Sequence, residues 1–233
     1  MLKVSIIGSG TMGTGLTQIT AEKGMMVYFH NVNPVSLHAA YKRIDKNLEN
    51  KVQKNKITAE EKESILNRIL LFGDLKESVR EADFVIEAIY EKLDAKKTLF
   101  ANLNKFCRQE AVIASNTSTL SINQLAEILN KPDRFLGMHF FYPVPAMRLV
   151  EVVRGEQTSK DAIKTALELA ERLGKVPIVV KDIPGFIVNR FLSIMVNEAA
   201  HLVEAGIASS EDIDKALKLG ANHPMGILLR KVG

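Results

Sequence analysis

In "GMHFFYPVPAMRLVEVV", residues 137–153, a histidine and a glutamate stand twelve positions apart. His139 and Glu151 are the residue types of an acid–base pair. An imidazole titrates near neutral pH, and a carboxylate on its other nitrogen can fix the tautomer and stabilise the imidazolium. The company is apolar, and a histidine beside two phenylalanines is also an ordinary packed residue. The stretch alone leaves both readings open. A second chemical signal lies at the start. "VSIIGSGTMGTG" sets Gly8, Gly10 and Gly13 in G-x-G-x-x-G spacing, directly after a short apolar run. There the first glycine permits a tight turn, the second lets backbone approach a pyrophosphate, and the third lets a helix pack closely on a strand. The helix that follows turns its N–H groups and positive dipole end toward the phosphates. Ser9, Thr11 and Met12 therefore join the glycines as candidate dinucleotide contacts. A glycine-rich turn without a ligand is the plainer alternative.

The next checkpoint is the end of the second apolar run, "MVYFHNVNP". An Asp or Glu there holds the adenine-ribose hydroxyls of NAD; this chain has Asn31. Asparagine accepts a hydrogen bond but does not repel a 2′-phosphate. Val32, Asn33 and Pro34 follow, with no arginine at once. The charge-based exclusion of NADP is missing, and no obvious clamp for NADP replaces it.

These residues need elements to position them. "KVSII" (3–7), "MVYFH" (26–30), "FVIEA" (84–88), "AVIAS" (111–115) and "RFLGMH" (134–139) read as strands, apolar on both faces, as in a parallel sheet covered by helices on both sides. Helical patterns lie between them at 12–23, 34–55, 60–67, 94–106 and 121–129. The alternation predicts a doubly wound, Rossmann-type α/β fold with a mostly parallel sheet. "LVEVVRG" (149–155) and "VPIVV" (176–180) extend the sheet around a helix at 159–174 that stops at Gly174. After "KDIPGFIVNR" the pattern changes to a long helix, apolar around most of its circumference, which predicts burial on several sides. A shorter one follows, with Ser209 or Ser210 as N-cap. The division predicted is a dinucleotide-binding domain over 1–182 and a small helical domain over 183–233.

Composition narrows the class. Lys and Arg outnumber Asp and Glu by 31 to 27, too small an excess to argue for nucleic acid. Part of it sits in "YKRIDKNLENKVQKNK" (41–56), read as a solvated helix face or as a basic patch toward an anionic small molecule. The single cysteine, Cys107, excludes an intramolecular disulfide and fits a reducing compartment. With no secretory pattern at the start and no run long enough to span a membrane, the expectation is a cytoplasmic protein; a presequence missing from this chain stays open.

Six motifs at matching separations, "GSGTMG", "IEAIYEKLDAKK", "SNTSTL", "GMHFFYPVP", "LVEVVRG" and "PGFIVNR", together resemble the L-3-hydroxyacyl-CoA dehydrogenase family, especially its bacterial 3-hydroxybutyryl-CoA members. The resemblance runs from residue 1 to about 226. It implies NAD-linked interconversion of short 3-hydroxyacyl-CoA and 3-oxoacyl-CoA, with an acyl-CoA substrate and no metal. By position it makes His139 the acid–base residue and Glu151 its partner. Ser118 becomes a substrate contact near the nicotinamide, and Asn189 helps hold the reacting oxygen. Glu91 and Lys96 line the cofactor site. Lys54 approaches the coenzyme A phosphates, against a plain reading as a solvated side chain.

Two departures stand out: Asn31, and Tyr142 in "HFFYP" where the family usually reads "HFFNP" with an asparagine that contacts cofactor. The chain's end is a third feature. After "HPMG" come seven residues, "ILLRKVG", which resemble a much later piece of the family sequence, as though the helices completing the C-terminal domain and its dimer contact were absent. That implies a homodimer only if this domain is competent. It also implies an exposed apolar patch around Phe191, Leu192, Ile194 and Met195, with self-association and low turnover. A catalytically impaired or non-catalytic remnant of the fold is the alternative. A Rossmann dehydrogenase of a hydroxy acid without coenzyme A is a further rival, which would not account for "HFFYPVP" with "LVEVV".

Overall fold

The apolar runs do become the strands of one sheet. In this computed structural model, which describes residues 1–228, the strands are β1 (Lys3–Ile7), β2 (Met26–His30), β3 (Ile69–Phe72), β4 (Phe84–Glu87), β5 (Val112–Ser115), β6 (Phe135–Phe140), β7 (Leu149–Arg154) and β8 (Val176–Lys181). Their order is β3-β2-β1-β4-β5-β6-β7-β8. The first six run parallel, β7 is antiparallel to β6, and β8 is parallel to β7. Parallel strands covered on both faces need apolar residues at odd and even positions alike; β4, β5 and β6 are buried throughout.

The helices are α1 (Thr11–Glu22), α2 (Pro34–Gln53), α3 (Ala59–Leu66), α4 (Leu75–Val79), α5 (Leu93–Phe106), α6 (Ile122–Ala126), α7 (Lys160–Arg172), α8 (Val188–Glu204) and α9 (Ser210–Gly220). α2 shows how sequence makes one. Asn33 caps it by accepting from the Val35 and Ser36 amides, and Pro34 takes the first position, where no N–H is needed. Leu37, Ala40, Ile44 and Leu48 then recur at helical spacing and are buried in the core with Val4, Ile6 and Leu16. α7 starts on Ser159, buries Ala162, Ala166, Leu169 and Ala170, and ends at Gly174, whose φ of 74° is the left-handed stop expected of it.

Two elements escape the sequence reading. β3 is an edge strand of four residues hidden in "RILLFG", where short apolar content marks neither a strand nor a helix end. α4 is a single turn after it, capped by Asp74. α6 is shorter than the predicted 121–129.

By contacts the chain forms two compact units, Met1–Ile183 and a second beginning at Pro184. The second unit is helical. Ser209 caps α9 by accepting from the Asp212 amide, and Asp214 Oδ1 accepts from the amides of Ile227 and Leu228 at 2.8 and 3.0 Å. The prediction that the long apolar helix is buried on several sides is not met: within α8, Ala199 is the buried residue, while Phe191 is 65% and Ile194 59% exposed. Most of "ILLRKVG" lies outside the described residues.

Candidate active site

Parallel strands bring all their C-terminal ends to one edge of the sheet. β1 has β2 on one side and β4 on the other, so the chain order reverses there and leaves a crevice, the usual ligand position in such sheets. The glycine turn follows β1 into that crevice. Gly8 has φ of 109°, and a Cβ on it would lie 2.5 Å from the Ala88 carbonyl oxygen. A Cβ on Gly13 would lie 1.8 Å from the Gly8 carbonyl oxygen, so helix and turn meet there with no room for a side chain. At Gly10 a Cβ would meet nothing within 4 Å. This is the open position at the N-cap of α1, whose first turn carries no acidic residue and whose cap makes no side-chain bond to the amides. The cradle fits a pyrophosphate on geometry and charge.

A cleft of about 890 Å³ opens here, lined by Gly8–Met12, by Asn31 at the end of β2, and by Ala88, Ile89 and Tyr90 after β4. Gly13 stands behind the turn. Asn31 Nδ2 donates to Ser9 Oγ at 2.5 Å, tying the end of β2 to the glycine turn. His30 also lines the cleft; its Nδ1 lies 3.0 Å from the Phe72 carbonyl oxygen, and burial holds its pKa below the ordinary 6.5.

Along the same edge lies a charged network that sequence reasoning resolved only in part. Glu87, fully buried at the end of β4, accepts from Lys96 Nζ at 2.6 and 2.7 Å and from Ser115 Oγ at 2.6 Å. Lys96, 1% exposed, also reaches Glu91 at 3.1 Å. Glu91 in turn accepts from the Ser118 amide at 2.9 Å and from the Thr117 hydroxyl. Burial pushes the Glu91 pKa up, but the Thr117 hydroxyl and the Lys96 charge outweigh it and hold it below the ordinary carboxylate value. The structure thus places Lys96 beneath the loop after β5, among carboxylates. Neither Lys96 nor Glu91 is on the cleft wall. Glu91, paired with Lys96, holds the backbone of Ser118. Glu87 was missed, although a lone carboxylate closing the apolar run "FVIE" was a usable signal.

His139 and Glu151 come together from two neighbouring strands, β6 and β7. The antiparallel register pairs them directly, so their side chains share a face. His139 Nδ1 lies 2.7 Å from Glu151 Oε2, with the residues 5% and 0% exposed. The Phe141 ring packs on the imidazole at 4.5 Å between centroids. Asn116, after β5, accepts from the Phe140 amide at 3.0 Å and ties the Ser118 loop to the end of β6. The loop after β6 is pinned by Lys175, buried, whose Nζ donates to the carbonyls of Val144 and Met147 at 2.5 and 2.7 Å. Burial lowers the Lys175 pKa. Tyr142 in that loop is 68% exposed and outside the cleft. Lys54 caps the exposed end of α2, and Asn189 sits in the first turn of α8 in the second unit. Among the described residues no metal-binding cluster occurs and no helix is long and apolar enough to cross a membrane.

A glycine turn at the switch point of a Rossmann-type sheet, sharing its edge with a buried histidine–carboxylate pair, defines a dinucleotide-dependent oxidoreductase type of architecture. Residues 3–183 match the family model of the 3-hydroxyacyl-CoA dehydrogenase NAD binding domain, and residues 185–229 match that of the C-terminal domain. The chain belongs to the 3-hydroxyacyl-CoA dehydrogenase family. It is 44% identical over 226 residues to a probable 3-hydroxybutyryl-CoA dehydrogenase of Bacillus subtilis, covering 97% of this chain and 78% of that one. It is 42% identical to 3-hydroxybutyryl-CoA dehydrogenase of Clostridioides difficile, covering 97% and 80%. The crystal structure of (S)-3-hydroxybutyryl-CoA dehydrogenase from Ralstonia eutropha superposes with a TM-score of 0.94 at 40% identity, covering 97% and 79%. The domain match makes NAD(H) the cofactor class.

Proposed function

We propose that this protein interconverts (3S)-3-hydroxyacyl-CoA and 3-oxoacyl-CoA of short chain, 3-hydroxybutanoyl-CoA and acetoacetyl-CoA, with NAD(H) in the cleft after β1. The observation that carries the reading is the buried pair of His139 and Glu151, 2.7 Å apart, on the edge that also bears the glycine turn. The nicotinamide, when bound, supplies the hydride acceptor or donor. The protein moves the proton. His139 Nε2 takes it from the secondary alcohol while Nδ1–H stays on Glu151, and the carboxylate stabilises the imidazolium as it forms. In the reverse direction the imidazolium returns the proton to the 3-oxo oxygen. The family resemblance assigns Ser118 and Asn189 to that oxygen, and Lys54 to the coenzyme A phosphates.

Asn31 offers NADP no repelling carboxylate, so NADP(H) is a second cofactor in this reading. Self-association is also part of it, supported by the apolar side chains that α8 exposes. The non-catalytic alternative gains no support from the dehydrogenases reported above.

The test is consumption of NADH with acetoacetyl-CoA, run beside free acetoacetate and repeated with NADPH. Turnover of the thioester and little of the free acid is the expected result. No turnover of acetoacetyl-CoA with either nucleotide would defeat the reading.

A further inference from the structure

Arg43 lies in the middle of α2, twelve residues beyond Asn31. Its guanidinium nonetheless returns to the glycine turn: Nη2 donates to the Ser9 carbonyl at 3.2 Å and lies 3.5 Å from Thr14 Oγ1. Ser9 is also the residue whose hydroxyl accepts from Asn31. A cation, a hydroxyl and an amide therefore converge where the end of β2 meets the start of the glycine turn; Ser9 and Asn31 line the cleft, and Arg43, not itself in that lining, reaches it through the Ser9 carbonyl. In a sheet of this order that corner receives the adenine ribose.

The electrostatics of the corner are one-sided. Asn31 stands where a carboxylate would repel a second anion, and neither α1 nor α2 has an acidic residue in its first turn. The carboxylates that α1 and α2 do carry are drawn elsewhere. Asp45 and Glu49 are held by Lys62, and Glu22 by Lys51. Asp74, whose charge acts on His30, is turned to cap α4. Arg43 has no ion pair among the described residues, and Nη2 is the nitrogen occupied by Ser9 and Thr14. A guanidinium is always charged, and its planar fork has donors to spare for phosphate oxygens.

We propose that Arg43, with Ser9 and Asn31, is the contact for the 2′-phosphate of NADP(H), so that this chain accepts the phosphorylated dinucleotide. The proposal rests on the reading that the cleft binds a nicotinamide dinucleotide. Val32–Pro34, directly after β2, carry no cation; here the cation arrives from the middle of the following helix.

The experiment titrates the full chain with NADPH and with NADH by nucleotide fluorescence, in the parent, in Arg43→Gln and in Arg43→Lys. Circular dichroism melting accompanies each variant. A charge-assisted phosphate contact corresponds to about a ten- to a hundredfold difference in dissociation constant. The parent should bind NADPH at least as tightly as NADH. Arg43→Gln should weaken NADPH by that factor while NADH changes less than about threefold. Arg43→Lys should retain part of the NADPH binding, since it keeps the charge and loses the fork. Equal weakening of both nucleotides in Arg43→Gln would show that Arg43 merely props the glycine turn, and would overturn the proposal. An NADPH affinity indifferent to the substitution would also overturn it. NADH binding without NADPH binding in the parent would defeat the Arg43 assignment alone. Failure of both nucleotides to bind would defeat the dinucleotide reading together with it.

Discussion

His139 and Glu151 are register partners across the antiparallel pairing of β6 with β7, and this pairing sets Nδ1 2.7 Å from Oε2. A gap of twelve in sequence becomes a cross-strand contact because the β6–β7 loop folds back at Pro143–Met147, where the amides of Ala146 and Met147 both donate to the Pro143 carbonyl. The strand register sets the backbone positions of the pair, and the Phe141 ring packs on the imidazole.

Replacing His139 should separate chemistry from binding. His139→Gln should lower kcat for acetoacetyl-CoA reduction by about 10²–10⁴-fold and leave NADH affinity near the parent value. Glu151→Gln should lower kcat as well, since it removes the charge that stabilises the imidazolium. Steady-state kinetics beside NADH fluorescence titration checks both. Near-parent turnover in His139→Gln would remove it from the acid–base role.

Asn31→Asp should raise the ratio of NAD to NADP affinity. The new carboxylate gains a charge-assisted bond to the ribose, roughly twice as strong as a neutral one, and repels a 2′-phosphate. Dissociation constants for both cofactors, measured in parent and variant, read the ratio. An unchanged ratio would mean that residue 31 does not face the ribose.

Lys96→Met should cost more stability than a typical point substitution. It leaves Glu87, fully buried, as an uncompensated charge, a change of about 3–5 kcal/mol in comparable pairs. Urea unfolding should show the loss. The Ser118 loop should loosen too, because Glu91 loses the ammonium that fixes one of its oxygens. A loss under about 1 kcal/mol, the range of surface pairs, would mean that the Lys96–Glu87 contact contributes no more than an exposed one.

Acid should weaken the fold through His30. Burial lowers its folded-state pKa below 6.5, so the unfolded chain takes up the proton first. The stability contributed by neutral His30 is present above the unfolded value. It is lost progressively as pH falls from about 6.5 toward the lowered folded-state pKa. Unfolding free energies between neutral and mildly acidic pH should therefore slope less in His30→Gln than in the parent. Identical slopes would exclude His30 as a contributor.

Light scattering should find the chain self-associated. Phe191 and Ile194 lie three positions apart on α8 and are both largely exposed. Replacing both with serine should shift the distribution toward monomer. A parent that runs as a monomer at high concentration would show that this face needs no cover.

The sequence by itself determined the strand and helix alternation, an N-cap at Ser209 or Ser210, the helix stop at Gly174, and the glycine turn. These are local: period, cap chemistry and backbone freedom are written in neighbouring residues. It also supplied the family resemblance, because six motifs keep their types and spacing. What it did not contain was which distant side chains meet. β3 carries too few residues for a period, and its place was decided by β2 having an unpaired edge. Glu87 and Lys96 are an acid on a strand and a base on a helix, unremarkable until the fold buries them together. Arg43 reads as one cation on a solvated helix; it reaches Ser9 because α2 packs its apolar face beside α1. His139 and Glu151 were legible as residue types, but the register of two strands decided that they touch, since a slip of one residue would have turned one of them to the other face.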